Sequence, residues 1–107
     1  MSDLLPDEVA RLLAATNAED REAFLDAFTD DGVVDDWGRE FAGADAIRGW
    51  SDKEFIGVDV TLVVVGVTTQ GDTTTVEAQV GGSGFNGPSH FTFAIRGGLV
   101  ARMTIRE

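Results

Sequence analysis

The segment Phe28–Trp50, FTDDGVVDDWGREFAGADAIRGW, decides how the chain is read. It holds two aspartate pairs, Asp30-Asp31 and Asp35-Asp36, separated by Gly32-Val33-Val34 and followed by Trp37. Val33–Trp37 reads as a short strand and Arg39–Ala42 as another. Gly43 interrupts, and Ala44–Phe55 then shows helical spacing, with Ile47, Trp50 and Phe55 near one face. Side chains alternate along a strand, so Asp35 and Asp36 point to opposite faces and only one can enter a given pocket. Asp30 and Asp31 read as the loop that ends the preceding helix.

Upstream, Leu5, Val9, Leu12, Leu13 and Thr16 recur at helical spacing behind Pro6. A second helix comes next, with Asn17 as its cap, Asp20 three residues on in the manner of a capping box, and Phe24, Leu25 and Phe28 as its stripe. The two make an antiparallel hairpin. Downstream the chain is β: Val58–Gln70, a turn at Gly71-Asp72, Thr73–Val80, the loop GGSGFNGPS, Ser89–Arg96, a turn at Gly97-Gly98, and Leu99–Ile105. Helices first and a four-stranded antiparallel meander last make an α+β fold, with helices on one face of a strongly curved sheet. Val58, Val60, Leu62 and Val64 mark one face of the first long strand; Val63, Val65 and Val67 mark the other. Helices cover one face. A homodimer through the sheet is expected to cover the other.

At 107 residues and 43% hydrophobic, the chain suits one domain with a modest core. A net charge of −11 repels phosphate backbones and anionic lipid, which argues against nucleic acid and membrane as partners. The opening MSDLLPDEVARLL has early acids and no basic flank, unlike a secretory leader, and the run Val60–Val67 is too short to span a bilayer. The expected location is cytoplasmic. Without cysteine and with a single histidine, thiolate chemistry and multi-histidine metal sites are excluded. DDGVVDD lacks the spacing of a calcium loop, and the glycine-rich loop lacks the Gly-Lys-Ser/Thr ending of a phosphate loop, so no metal and no cofactor is expected.

The element order and the pattern Phe28, Asp30-Asp31, Val33–Asp36, Gly43, Ile47, Trp50 resemble the SnoaL-like and ketosteroid-isomerase-like branch of the nuclear transport factor 2-like superfamily. GGLVARMTI resembles the last strand of that family, and the likeness spans residues 1–107 as one SnoaL-like domain. It implies a cone-shaped, curved antiparallel sheet with three N-terminal helices packed on its concave face. The fold hosts isomerases, cyclases, dehydratases, hydrolases and plain binders. In ketosteroid isomerases the Asp ending the short strand is the general base beside a carbonyl, and Asp36 matches it. Two donors polarise the carbonyl oxygen there, a tyrosine on the first helix and a protonated aspartate on the penultimate strand. This chain has no tyrosine; those positions fall near Leu12 and, for an unchanged final hairpin, at His90.

Read by their own chemistry, these residues keep two roles open. Asp36, flanked by Val34 and Trp37, is either a carboxylate made more basic by desolvation or a solvated strand end. His90 donates to a ligand oxygen only if it faces the pocket. A two-residue turn at Gly97-Gly98 puts it there with Met103, whereas a three-residue loop with a bulge puts Phe91, Phe93 and Ile95 there. Trp37, Trp50, Phe55 and Phe85 line a cavity or fill a core. Asn86 touches ligand or shapes its turn. Arg39 and Arg48 either pair with the aspartates or form ordinary surface ion pairs. The expected ligand is a small apolar molecule, handled either by proton transfer next to a carbonyl or by binding alone.

Overall fold

Pro6, its φ fixed at −57°, leads into α1 (Asp7–Asn17), whose Val9, Leu12, Leu13, Ala15 and Thr16 are buried along one stripe. The computed structural model describes residues 5–106; Met1–Leu4, which entered the reading of the N-terminus, and Glu107 lie outside them. Asp20, not Asn17, caps α2 (Arg21–Asp26), its carboxylate accepting from the Ala23 N–H at 3.1 Å. Asn17 instead ends α1 and turns its amide to the sheet. It donates to the Leu62 carbonyl at 3.0 Å and accepts from the Leu62 N–H at 2.8 Å.

The chain enters the sheet earlier than the helical pattern suggests. Strand β1 spans Phe28–Asp36, so Phe28 opens a strand and Asp30 and Asp31 lie on it instead of in a helix-ending loop. The reason is tertiary pairing: Val100 N–H donates to the Ala27 carbonyl and Phe28 pairs with Val100, pulling the backbone straight after α2. Thr29–Gly32 bulge out before pairing resumes at Val33–Arg102. Next come β2 (Arg39–Ala42), α3 (Ala44–Glu54), a 3₁₀ turn (Ile56–Val58), β3 (Thr61–Gln70), β4 (Thr73–Gly81), β5 (Gly87–Arg96) and β6 (Leu99–Arg106). Gly57 sets the corner between α3 and β3: a Cβ there would lie 1.6 Å from the Asp52 carbonyl oxygen, so only glycine fits.

The six strands form one curved, unclosed sheet in the order β2-β1-β6-β5-β4-β3, with β2 and β3 as its edges. All neighbours are antiparallel except β1 and β6, which run parallel and make the sheet mixed. The three helices pack against its inner face. Phe24 meets Phe28 edge-on at 5.3 Å and Phe55 at 5.6 Å, and Val76, Phe91, Phe93 and Met103 close the core from the sheet.

Two single-residue bulges decide which side chains face inward. In β3, Val64 pairs with Ala78 and Gly66 with Glu77, leaving Val65 as the extra residue. Val67 therefore stands opposite the buried Val76, on the inner face and not on the outer face that strict alternation assigns it. In β6, Ile95 pairs with Val100 and Ala94 with Arg102, leaving Ala101 extra. The turn at Gly97-Gly98 has two residues, but this bulge shifts the register beyond it. Among the described residues no helix is long and apolar enough to cross a membrane.

Candidate functional site

Between the end of α3, the 3₁₀ turn and the inner face of β4–β6 lies a cavity of about 460 Å³. Trp50, Phe55, Phe91, Val60, Val80 and Ile105 form its walls, and Val58, Gly81 and Gly84 border the loop side. Trp50 and Phe55 stack at 4.8 Å with their planes 24° apart. Both are buried, so they serve core and cavity wall at once. Trp37 and Phe85, each more than half exposed, stand at the rim with Lys53 and Glu54. Trp37 holds a left-handed φ of 55°, costly for a bulky residue, in the turn with Gly38 that joins β1 to β2.

With Glu54 more exposed at the rim, Asp36 is the enclosed carboxylate of the cavity. Its side chain is only 16% exposed, and its Oδ2 accepts from Trp50 Nε1 at 3.0 Å and from Arg39 Nη2 at 2.6 Å. Its Oδ1 accepts no hydrogen bond from the described residues. The enclosure comes from Trp50 on α3; Val34 lies in the core and Trp37 swings out to the rim. Arg39 also forks onto Glu54, at 3.0 and 2.7 Å. Through that pair the Glu54 carboxyl is held below its usual range and the Arg39 guanidinium is raised further. A bridge of Asp36, Arg39 and Glu54 thus ties β1, β2 and α3 together at the mouth.

His90 does not join Asp36. With Ala101 bulged, Phe91 pairs with Ile105 and Phe93 with Met103, and these four face inward. His90 pairs with Arg106 on the outer face, half-exposed, with its Nε2 3.5 Å from Glu77. There it borders a separate hollow of about 370 Å³ with Thr68 and Thr75. Leu12, Val34 and Met103 are fully buried in the core and do not reach the cavity. Asn86 shapes its own loop, donating to the carbonyls of Gly82 at 2.8 Å and Gly84 at 3.2 Å, while its neighbour Phe85 faces the cavity. Asp36, Trp37, Trp50, Phe55 and Phe85 are the expected residues that the fold does bring together. Phe91 enters through a bulged register, as the bulged alternative of the sequence reading has it, whereas Ser89 and Ile105 escape that reading because the register hides them. Lys53 and Glu54 carry no signal beyond being charged residues at a helix end.

Asp35 lies on the opposite face, as alternation requires. It accepts from Arg106 at 3.0 Å, from the Gly38 N–H at 2.8 Å and from Arg102 at 2.8 Å. The Arg106 guanidinium foremost, then the Gly38 N–H and Arg102, hold its carboxyl down at about 2. Arg48 pairs with Glu22 at 3.1 Å on the surface.

Comparison with known proteins decides the family. The SnoaL-like domain matches residues 9–103. The chain belongs to the SnoaL-like domain family. A candidate polyketide cyclase from Sinorhizobium meliloti superposes with a TM-score of 0.85 at 30% identity, covering 95% of this chain and 95% of that one. At 23% identity, a hypothetical protein of ketosteroid isomerase-like fold from Catenulispora acidiphila, solved with trimethylamine, superposes with a TM-score of 0.82 over 97% of this chain and 87% of that one. A computationally designed 17-OHP binder does so at 0.80 and 21% identity, over 94% and 87%. The last two show the shared fold alone. No curated protein matches the chain.

Proposed function

We propose that this SnoaL-like domain binds a small, mostly apolar molecule in the cavity between α3 and the sheet, with Asp36 as the polar anchor. The observation that supports this is Asp36 itself: a largely enclosed carboxylate, fixed by Trp50 and Arg39 through one oxygen and unpaired at the other, among aromatic and aliphatic walls. About 460 Å³ fits a ligand of modest size. The test is a fragment screen by two-dimensional NMR on wild type and Asp36→Asn. Amide shifts clustered at Trp50, Phe55 and Phe91, and weakened in the variant, are expected; shifts scattered over the surface would end the proposal.

A second reading makes Asp36 a general base for proton transfer next to a carbonyl, as in an isomerase or cyclase. The unpaired Oδ1 supports it, because a base needs an oxygen free to receive a proton. Against it stands the loss of His90 as the oxygen-side donor. Enolisable ketones incubated in deuterated water separate the two: exchange at the carbon beside the carbonyl, absent in Asp36→Asn, favours the enzyme, and no exchange favours a binder.

The outer sheet face supports a homodimer as a separate element of the proposal. Val63 and Val65 stand exposed there at 60% and 69%, with Gln79 across from Val63 and Thr75 and Thr92 farther along β4 and β5.

A further inference from the structure

The hydrogen-bonding groups of the cavity interior are one-sided. Two side-chain donors line that interior, Trp50 Nε1 and Ser89 Oγ, and both are engaged. Trp50 donates to Asp36 at 3.0 Å, and Ser89 donates to the Arg106 carbonyl at 2.8 Å. What they leave behind are acceptors: Asp36 Oδ1 and the lone pairs of the Ser89 hydroxyl. The remaining side-chain donors, Trp37 and Lys53, sit at the exposed rim, where water competes for them. A ligand carbonyl placed against Asp36 would find no side-chain donor in the interior. Its oxygen would lose its water partners and find only backbone N–H groups of the Gly84-Phe85 loop side, away from Asp36's indole and guanidinium partners, to replace them.

A protonated amine meets the opposite situation. Its N–H groups find Asp36 Oδ1, and its charge lies among the rings of Trp50, Phe55 and Phe91 that line the cavity. The wider field favours it too, since the chain carries a net charge of −11. Arg39 opposes it from the far oxygen of Asp36, but Glu54, onto which the guanidinium forks, offsets that charge. Lys53 is the opposing charge without such an offset; among the described residues it has no ion-pair partner, and it lies on the exposed side of α3.

We infer that the cavity selects an organic cation, an apolar body bearing a protonated amine, in preference to a neutral carbonyl compound. This rests on the proposed use of the cavity as a small-molecule site and names the ligand class it takes. Two substitutions then act with opposite signs. Removing the Asp36 charge abolishes the preference, and removing the Lys53 charge strengthens it; an anionic ligand would reverse both.

The experiment uses three probes of similar size: N,N-dimethylbenzylammonium, its uncharged shape analogue isobutylbenzene, and the ketone benzylacetone. Binding is followed by calorimetry and by the fluorescence of Trp37 and Trp50, the only two tryptophans. Wild type should hold the ammonium about 10-fold tighter than either neutral probe, in line with a desolvated cation–π contact backed by a carboxylate. Asp36→Asn should bring the three together, and Lys53→Gln should tighten the ammonium by about 2-fold. Equal or tighter binding of the hydrocarbon or ketone by wild type overturns the cation preference and leaves the cavity proposal standing. Binding of none of the three overturns both.

Discussion

Trp50 donates its indole N–H to Asp36 Oδ2 across the junction of α3 and β1, 3.0 Å apart, while the same indole stacks on Phe55. One side chain therefore builds the wall of the cavity and aims its carboxylate. Trp50→Phe keeps a ring against Phe55 and removes the donor. Loss of a hydrogen bond to a charged group should cost about 1–3 kcal/mol. Urea unfolding of Trp50→Phe, Asp36→Asn and the double variant should show the double costing less than the sum of the singles. Strict additivity would mean that the bond contributes nothing.

Asn17 closes part of the free edge of β3. Its amide takes both backbone groups of Leu62, as a neighbouring strand would. Asn17→Ala leaves a part-buried N–H and carbonyl without their partner and should cost about 1–3 kcal/mol. It also opens a valine-rich edge to other chains. Light scattering at raised temperature should detect earlier aggregation than in wild type, and more than in a control variant of equal stability elsewhere.

Acid should unfold the protein partly through Asp35. Its folded value near 2 lies below the ordinary 3.8, so the folded state binds this proton less readily than the unfolded chain. The stability it contributes is complete above about pH 4 and is lost as pH falls toward 2. Glu54 and Asp31 are lowered too and act in the same sense. Glu19 acts oppositely: hydrogen bonding and repulsion from Asp59 raise its carboxyl, so its proton favours the folded state and stability is lost as pH rises. Melting curves should show Asp35→Asn less stable at neutral pH with a shallower acid limb. Glu19→Gln should be more stable at neutral pH, the gain vanishing once wild-type Glu19 is protonated.

Assembly has a similarly direct check. Val63→Lys with Val65→Lys places two charges on the outer face without touching the cavity. If that face joins two copies, sedimentation at micromolar concentration should give a dimer for wild type and a monomer for the variant. A wild-type monomer would remove the dimer from the proposal.

The sequence carries the architecture well because its signals are local and mutually consistent. Gly43 before Ala44–Glu54, the turn at Gly71-Asp72 and the turn at Gly97-Gly98 all fall between elements as read. Asp35 and Asp36 separate to opposite faces by alternation alone. Local pattern cannot carry the count of residues between pairings. A bulge leaves no composition signal, so Val65 and Ala101 look like any strand residue, yet each reverses the facing of every residue beyond it. Val67 departs from the sequence reading for that reason, and the bulge decides the face of His90 that the reading left open. Asp30 and Asp31 depart from it because pairing of Phe28 with Val100 outweighs helical spacing.

The bulge at Ala101 also makes the genetic neighbourhood of this hairpin uneven. Loss of the Ala101 codon leaves Ile95 across from Val100 and Ala94 across from Arg102, so the ladder closes up with its inward set unchanged. Loss of the Ala94 codon, with the turn and the bulge kept, draws β5 forward by one and sets His90 across from Ile105. An imidazole would then enter the chamber holding Asp36, and the ring of Phe91 would leave it. One deletion keeps the inward set and another, a few codons away, rewrites the wall, which puts an imidazole in the cavity within a single mutational step.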